Sequence, residues 1–273
     1  MTTQLPQEAV IAALAEEWEA LDELLSSLAP DDWAAPTPCP GWDVKANVAH
    51  IVGTEAMLLG LDAPTVEVDV AALPHVRNDI GGFNEQWVQG LADEPPAAVL
   101  DRFRALTAER LAILRAMDAE AWDAEGFTPA GRDTHGRFMR IRVFDCWMHE
   151  QDVRDGLGRP GHTDGAAVEL ALDELQTGMG FVVGKKAGAP AGSSVTFALT
   201  DGAERRIHVL VGDRASVVDA LDGPATVTLT TTVHAFSRLA GGRVPPDAPP
   251  EPVAVDGDQD LGQRILAHLA FTI

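Results

Sequence analysis

The stretch RVFDCWMHEQDVRD, residues 142–155, predicts a helix whose surface carries several large apolar side chains, among them Trp147 and Met148. Asp145 and His149 stand four residues apart in it, and on a helix such positions lie on one face, one turn apart. A carboxylate and an imidazole at this spacing can hold one cation together. An ordinary hydrogen bond between the two side chains is the alternative, so the pair alone does not decide between them.

Further helices are predicted on both sides of this stretch. From Pro6 to Leu28 the apolar residues recur at intervals of three and four. Asp43 is a suitable N-cap for a helix that carries His50 about two turns in. Other helical patterns run from Asn78 to Leu91, Pro95 to Met117, Arg137 to Arg154 and Thr163 to Val183. Helices of this length joined by loops predict an up-down helical bundle.

The residue composition of the sequence changes after the glycine-rich segment 185–194. Short runs rich in β-branched residues follow, separated by turn signals such as Asp201-Gly202, and predict strands at VTFALT, RIHVLVG, ASVVDA and ATVTLTT. Helices are predicted at Val233–Ala240 and Asp258–Leu269. This half is therefore expected to be a small α+β domain at 193–273, following a bundle at 1–185.

Composition limits the classes of function. Forty-two acidic residues against 20 basic ones give a formal charge of −22, which disfavours nucleic acid and anionic membrane surfaces as partners. The first ten residues resemble no secretory leader, and no run of about 18 apolar residues occurs. We therefore expect a cytoplasmic protein that acts on small molecules, as a monomer or a homodimer.

A third ligand would turn the Asp145 and His149 pair into a metal site. Catalytic zinc sites typically use three protein ligands from His and carboxylate and leave one position open. His50, on the predicted second helix, completes that count if the two helices face each other in the bundle. The other interpretation of His50 is a histidine at the edge of the core with one hydrogen bond.

Other polar residues on the same helix have weaker claims. Arg142 is a candidate to bind a substrate carboxylate, and Asp152 is a candidate to orient a ligand histidine from behind. Both can equally be solvated or salt-bridged helix residues. Glu150, which points about 100° away from His149, is a spare metal ligand. So is His135, which is expected in a glycine-flanked loop.

The two cysteines offer little support for a protein nucleophile. Cys39 lies between two prolines and Cys146 lies beside large apolar residues, where a cysteine usually only packs. Two cysteines also exclude a disulfide framework or a four-cysteine zinc site. The sequence contains no G-x-S-x-G, Walker or G-x-G-x-x-G motif, so serine hydrolase and nucleotide-binding motifs have no support.

Four blocks of the chain carry a family resemblance: W-x2-PTPCPGWDVKANVAH ending at His50, FDCWMHEQDVR, RLAGGRVPP and VDGDQDLGQRILAHL. Together they resemble the mycothiol-dependent maleylpyruvate isomerase family, which joins a DinB-like helical bundle to a small α+β domain similar to sterol carrier proteins. The resemblance implies a divalent metal, normally zinc, held by His50, Asp145 and His149. Asp145 departs from the family's pattern, because the prototype has a glutamate there.

The resemblance also implies the chemistry. The low-molecular-weight thiol mycothiol would act as co-substrate, in an isomerase or a thiol S-transferase that acts on a small electrophile of the maleylpyruvate type. Arg243, in a loop of the second half, is a candidate to bind the acidic substrate or the thiol. Two other functions stay open: a metal-stabilised module that binds a small ligand or a protein without turnover, and a metal hydrolase that works without thiol.

Overall fold

Six α-helices and a hairpin make up the first unit of the computed structural model, which describes residues 2–272. This unit extends to Gly161. Its helices are α1 (Gln7–Ser26), α2 (Val44–Leu58), α3 (Asp79–Gly90), α4 (Pro96–Ala116), α5 (Ala119–Trp122) and α6 (His135–Leu157). The hairpin pairs β1 (Glu125–Thr128) with β2 (Gly131–Thr134) just before α6.

The four long helices form the predicted bundle. Helix α1 packs against α4 and α6, and α2 packs against the same two helices, while α3 lies along α2. The apolar stripe of α1 is buried, including Leu14, Trp18 and Leu21. Helix α2 is different, because nearly every residue from 47 to 56 is buried, as expected for a helix enclosed on several sides. A polar residue on α2 is therefore held inside the bundle.

Capping residues fix where the two site-bearing helices begin. The Asp43 side chain accepts from the Ala46 N–H at 2.8 Å, as predicted for the start of α2. The Thr134 hydroxyl accepts from the Arg137 N–H at 3.1 Å and starts α6. Gly158 ends α6 in the left-handed conformation, at φ 62°, which glycine adopts without steric cost.

A five-stranded sheet forms the second unit, which begins at His162. Its order is β5-β4-β3-β6-β7, and only the β3–β6 pair is parallel among the strand pairs of residues 2–272. The strands are β3 (Ser194–Thr200), β4 (Arg205–Val211), β5 (Ala215–Val218), β6 (Val227–Thr232) and β7 (Ala254–Gly257). Helices α9 (Val233–Ala240) and α10 (Gln259–Ala267) contact the sheet, and the rings of Phe197 and Phe236 lie 5.7 Å apart in the core.

The last part of the predicted first domain differs from the expected single helix at Thr163–Val183. It forms α7 (Ala166–Thr177), α8 (Met179–Phe181) and a wide turn of π-helical geometry at Val182–Lys186. The helix breaks at Gly178, where a Cβ would lie 2.2 Å from the Phe271 ring. The absence of a side chain at Gly178 lets the backbone lie against this ring.

These helices belong to the second unit, whereas the sequence predicted a boundary near 185–193. Arg205 on β4 donates to Asp173 on α7 at 2.7 Å and also pairs with Glu169, so α7 is bound to the sheet. The composition of the sequence changes where the first strand of the sheet begins. The compact unit starts earlier, because α7 and α8 complete its core.

The predicted fold class is confirmed: a helical bundle precedes a small α+β unit. Within residues 2–272, no helix combines the length and the apolar character needed to cross a membrane.

Candidate metal centre

The three predicted ligand side chains lie together in the first unit. His50 Nε2 is 3.1 Å from Asp145 Oδ2, and His149 Nε2 is 3.7 Å from Asp145 Oδ1. The two imidazole rings are 4.7 Å apart between centroids and meet edge to face. The structure thus brings residues 95 or more positions apart in the chain into one polar cluster.

This cluster fits a divalent ion. Ligand atoms on a tetrahedral zinc with bonds of 2.0–2.1 Å lie about 3.3 Å apart, and the two observed separations fall on either side of that value. Burial lowers the pKa of His50, which keeps its imidazole neutral, as a metal ligand must be. Burial alone would raise the pKa of Asp145, but a hydrogen bond from His50 and the positive charge of Arg142 hold it well below its usual range. The donor set is therefore two imidazoles and one carboxylate, the composition typical of a zinc site.

Hydrogen bonds fix the tautomer of His149. The Asn47 side-chain amide donates to Thr37 Oγ1 and to the Asp43 carbonyl, so its oxygen faces His149 Nδ1 at 2.9 Å and can only accept. The proton of His149 therefore sits on Nδ1, and the lone pair of Nε2 points toward Asp145. Asp152 Oδ2 lies 3.1 Å from the same Nδ1. A carboxylate behind a ligand histidine is a common arrangement in zinc sites.

His50 lacks such a partner on its far side. Among the described residues, its Nδ1 is buried with no hydrogen-bond partner. Its tautomer is therefore not fixed from behind, and Nε2 can either donate to Asp145 or face a cation with its lone pair.

Trp42 covers both imidazoles, which the sequence did not predict. Its ring lies 5.2 Å from that of His50 and 5.6 Å from that of His149. The Trp42 indole N–H donates to the buried Glu85 carboxylate, which His75 also contacts at 2.7 Å. The aromatic cover is thus held in place from α3. The only signal in the sequence was the position of Trp42 just before the helix of His50.

Arg142 is buried beside Asp145 and is paired with carboxylates of the protein. Its side chain is 3% exposed, and its guanidinium donates to Glu55 and to Asp145. The prediction that Arg142 binds a substrate carboxylate has no support in this geometry, because two carboxylates of the protein already occupy its donors. Glu55, on α2, was not identified from the sequence.

The remaining candidates lie elsewhere. Glu150 Oε1 accepts from Arg154 at 2.8 Å on the same helix. His135 was expected in a loop but is the first residue of α6, with its ring against Trp122. Arg243, in the second unit, donates to the Gly241 carbonyl at 3.2 Å.

The two thiols have different surroundings. Cys146 is fully buried and accepts from Arg142 at 3.4 Å, and burial raises the pKa of its thiol. Cys39 is half-buried, and its sulfur lies within 4.8 Å of ligand atoms of His149 and Asp152. A cavity of about 460 Å³ opens beside the segment 36–43, which carries Cys39. It is lined in part by Trp42, Ala46 and Gln89.

Two family models match the chain, and together they span most of it. The Mycothiol maleylpyruvate isomerase N-terminal domain matches residues 14–154, and the MDMPI C-terminal domain matches residues 169–264. A helical bundle followed by a small α+β unit is thus the architecture of a known two-domain class. The chain belongs to the mycothiol maleylpyruvate isomerase family, and the predicted resemblance is confirmed.

Two curated relatives come from Mycobacterium tuberculosis: Uncharacterized protein MT0041 of strain CDC 1551 / Oshkosh and Uncharacterized protein Rv0036c of strain ATCC 25618 / H37Rv. Each is 32% identical over 153 residues, which is 54% of this chain and 56% of the relative. The match thus spans little more than half the length of these relatives.

Two crystal structures share the fold. The mycothiol-dependent maleylpyruvate isomerase aligns with a TM-score of 0.56 at 18% identity, over 93% of this chain and 95% of that one. A histidine-to-alanine mutant of mycothiol-dependent maleylpyruvate isomerase aligns with a TM-score of 0.55 at 20% identity, over 89% and 93%. At such identities the likeness concerns the fold alone.

Proposed function

We propose that this protein is a divalent-metal-dependent enzyme that uses mycothiol to isomerise, or to attach the thiol to, a small electrophile of the maleylpyruvate type. The observation that carries the proposal is the convergence of His50, Asp145 and His149 in a member of this family. The names of the structural neighbours support the thiol and the substrate class.

The three side chains would hold the ion, with zinc as the first choice for this donor set. An ionised Asp145 and two neutral imidazoles carry one negative charge, so a divalent ion leaves the centre with a net charge of +1. When bound, the ion supplies positive charge that stabilises a thiolate at neutral pH. Asp152 and Asn47 keep the His149 lone pair directed at the centre.

The reacting thiol is supplied by the co-substrate. Cys146 is buried and its pKa is raised, so it is a poor nucleophile at neutral pH. In isomerisation the mycothiol sulfur adds to the activated double bond, the resulting single bond rotates, and the C–S bond breaks to return the thiol and give fumarylpyruvate. In S-transfer the C–S bond stays in the product.

Arg243 is proposed as a cation for the acidic substrate or the thiol, because a guanidinium is well suited to bind a carboxylate. Arg243→Ala is expected to raise KM for the substrate or for mycothiol. Unchanged values of both would remove Arg243 from the site.

The test measures metal content first and turnover second. Native protein should hold about one divalent ion per chain by elemental analysis, and His149→Ala should lose it, whereas His208→Ala, in the second unit, should not. Full metal content in His149→Ala would overturn the proposal. With mycothiol and maleylpyruvate, NMR should detect an isomer or an adduct; bound ligand without product would indicate a binding module, and turnover without thiol a hydrolase.

A further inference from the structure

A series of buried ion pairs leads to the candidate ligands and joins three helices. Glu55 on α2 accepts from Arg110 of α4 at 3.1 Å with one oxygen and from Arg142 of α6 at 2.8 Å with the other. Arg142 then donates to Asp145 Oδ2. The side chains of Glu55, Arg110 and Arg142 are 1–3% exposed, whereas Asp145 is 28% exposed. The series of ion pairs therefore begins in the core and ends at the candidate site.

The last residue of this series, Asp145, contributes a candidate ligand atom to the site. Asp145 Oδ2, which accepts from Arg142, is also the oxygen that lies 3.1 Å from His50 Nε2. The guanidinium thus holds the carboxylate in the orientation that faces both histidines. An aspartate reaches one methylene less far than the glutamate expected at this position, so its placement depends more strongly on its supports.

We propose that Arg142 is a positioning residue for Asp145, and that Glu55 acts through Arg142 by holding its guanidinium in place. This inference rests on the proposed function, because it assigns a role toward the bound ion. Arginine suits the role since its rigid fork of N–H donors serves two carboxylates at once. Glu55 lies on the same helix as His50, so the series of ion pairs also links the two helices that provide the candidate ligands.

An electrostatic role and a positioning role for Arg142 predict opposite effects of its removal on zinc affinity. A guanidinium beside a cation repels it, so a simple electrostatic role predicts that Arg142→Met binds zinc more tightly. Positioning predicts weaker binding, by about tenfold or more, as for other supports of metal ligands. Arg142→Lys keeps the charge but cannot bridge both carboxylates, so positioning predicts a smaller loss in the same direction.

The role of Glu55 is tested by coupling. Glu55→Gln alone should weaken zinc binding. In the double variant with Arg142→Met it should add little, because Glu55 no longer has the guanidinium through which it acts. A fully additive effect would mean that Glu55 acts on the ion by its own charge, and this part of the inference would fail.

The measurement is zinc affinity by competition with a chromophoric chelator, together with the visible absorption of the Co²⁺ form, which reports how the ligands are arranged. Asp22→Asn is the control, because it removes the charge from a carboxylate that accepts from an arginine on another helix, Arg104, and that belongs to no candidate ligand group of the described residues. Its affinity should stay within about twofold of the wild type. Circular dichroism verifies folding, and Arg142→Lys decides the question if Arg142→Met does not fold.

The outcomes separate the two proposals. If the wild-type protein binds no divalent ion, the proposed function fails. If the wild type binds the ion and folded Arg142→Met binds it equally or more tightly, only the positioning role is overturned. Unchanged affinity and Co²⁺ absorption in folded Arg142→Lys would overturn it as well.

Discussion

Asp145 is the residue in which the electrostatics of the site converge. Its carboxylate faces two imidazoles on one side and accepts from a guanidinium on the other. The guanidinium and a hydrogen bond from His50 stabilise the ionised form, so Asp145 is already a carboxylate when a cation binds. A neutral His50 and an ionised Asp145 are the protonation states that a metal ligand set requires.

His135, a half-buried histidine outside the cluster, gives a prediction about pH. Burial and the nearby Arg110 lower the pKa of His135, whose ring Nε2 has no hydrogen-bond partner among residues 2–272. The unfolded chain therefore binds a proton below about pH 6.5 more readily than the folded protein does. The free energy of unfolding should fall as the pH is lowered from 7 to 5, and His135→Gln should reduce this slope, by up to about 1.4 kcal/mol per pH unit.

Urea denaturation at pH 7, 6 and 5 in EDTA, followed by circular dichroism, measures this slope without a contribution from bound metal. His268→Gln, at an exposed position, is the control. Identical slopes for the wild type and His135→Gln would contradict the prediction.

The sequence identified the residues of the cluster and one neighbour that supports it, Asp152, but not the roles of Glu55 and Trp42. Asp145 and His149 are one helical turn apart, so their common face follows from local geometry, and the family motif indicated His50. Glu55 and Trp42 could not be assigned roles, because each meets partners 85 or more positions away in α6. Only the packing of helices brings those side chains together.

At the scale of elements, α2 is the helix whose surroundings allow least change. Gly53 lies against α3, and a Cβ placed there would be 2.3 Å from Trp87 Cγ. The glycine thus allows the close approach of the helix that also carries Glu85, the support of Trp42.

Two glycine substitutions should therefore have opposite signs. Gly53→Ala gains about 1 kcal/mol in helix propensity but forces a clash in a packed interface, and should destabilise the protein by roughly 1–3 kcal/mol. Gly82→Ala, in α3 with nothing within 4 Å of the added Cβ, should stabilise it by about 0.5–1 kcal/mol. Thermal and urea unfolding compare both with the wild type; a stabilising Gly53→Ala would refute the account of the interface.

Elements with regular apolar spacing were predictable, and several short ones were not. The bounds of α3, α4 and α9 lie within a residue or two of the predictions, because their apolar spacing is regular. The hairpin β1–β2 and strand β7 were missed, since each strand has only four residues and no clear alternation. The packing at Gly178 could not be predicted, because its partner, the Phe271 ring, lies 93 residues further along the chain.

At the scale of the whole molecule, the division at Gly161 and His162 predicts which fragments fold. Residues 162–273 keep α7 and α8, whose fully buried side chains include Leu172, Leu175 and Met179. A fragment 193–273 lacks these side chains and loses on the order of 5 kcal/mol of burial, comparable to the entire stability of a small domain.

Fragment 162–273 should therefore unfold cooperatively on heating, whereas 193–273 should show no cooperative transition by circular dichroism. Fragments 1–161 and 1–185 provide the complementary comparison. Cooperative unfolding of 193–273 alone would favour the boundary that the sequence predicted.

The distance along the chain between the candidate ligands has a thermodynamic consequence. His50 and Asp145 are separated by 95 positions, so an unfolded chain holds them together only rarely. An ion bound by this cluster is therefore a ligand of the native state alone, and by mass action it makes the melting temperature depend on the concentration of free zinc. The heat resistance of the bundle then becomes a measure of how fully the centre is loaded, without any need for a substrate.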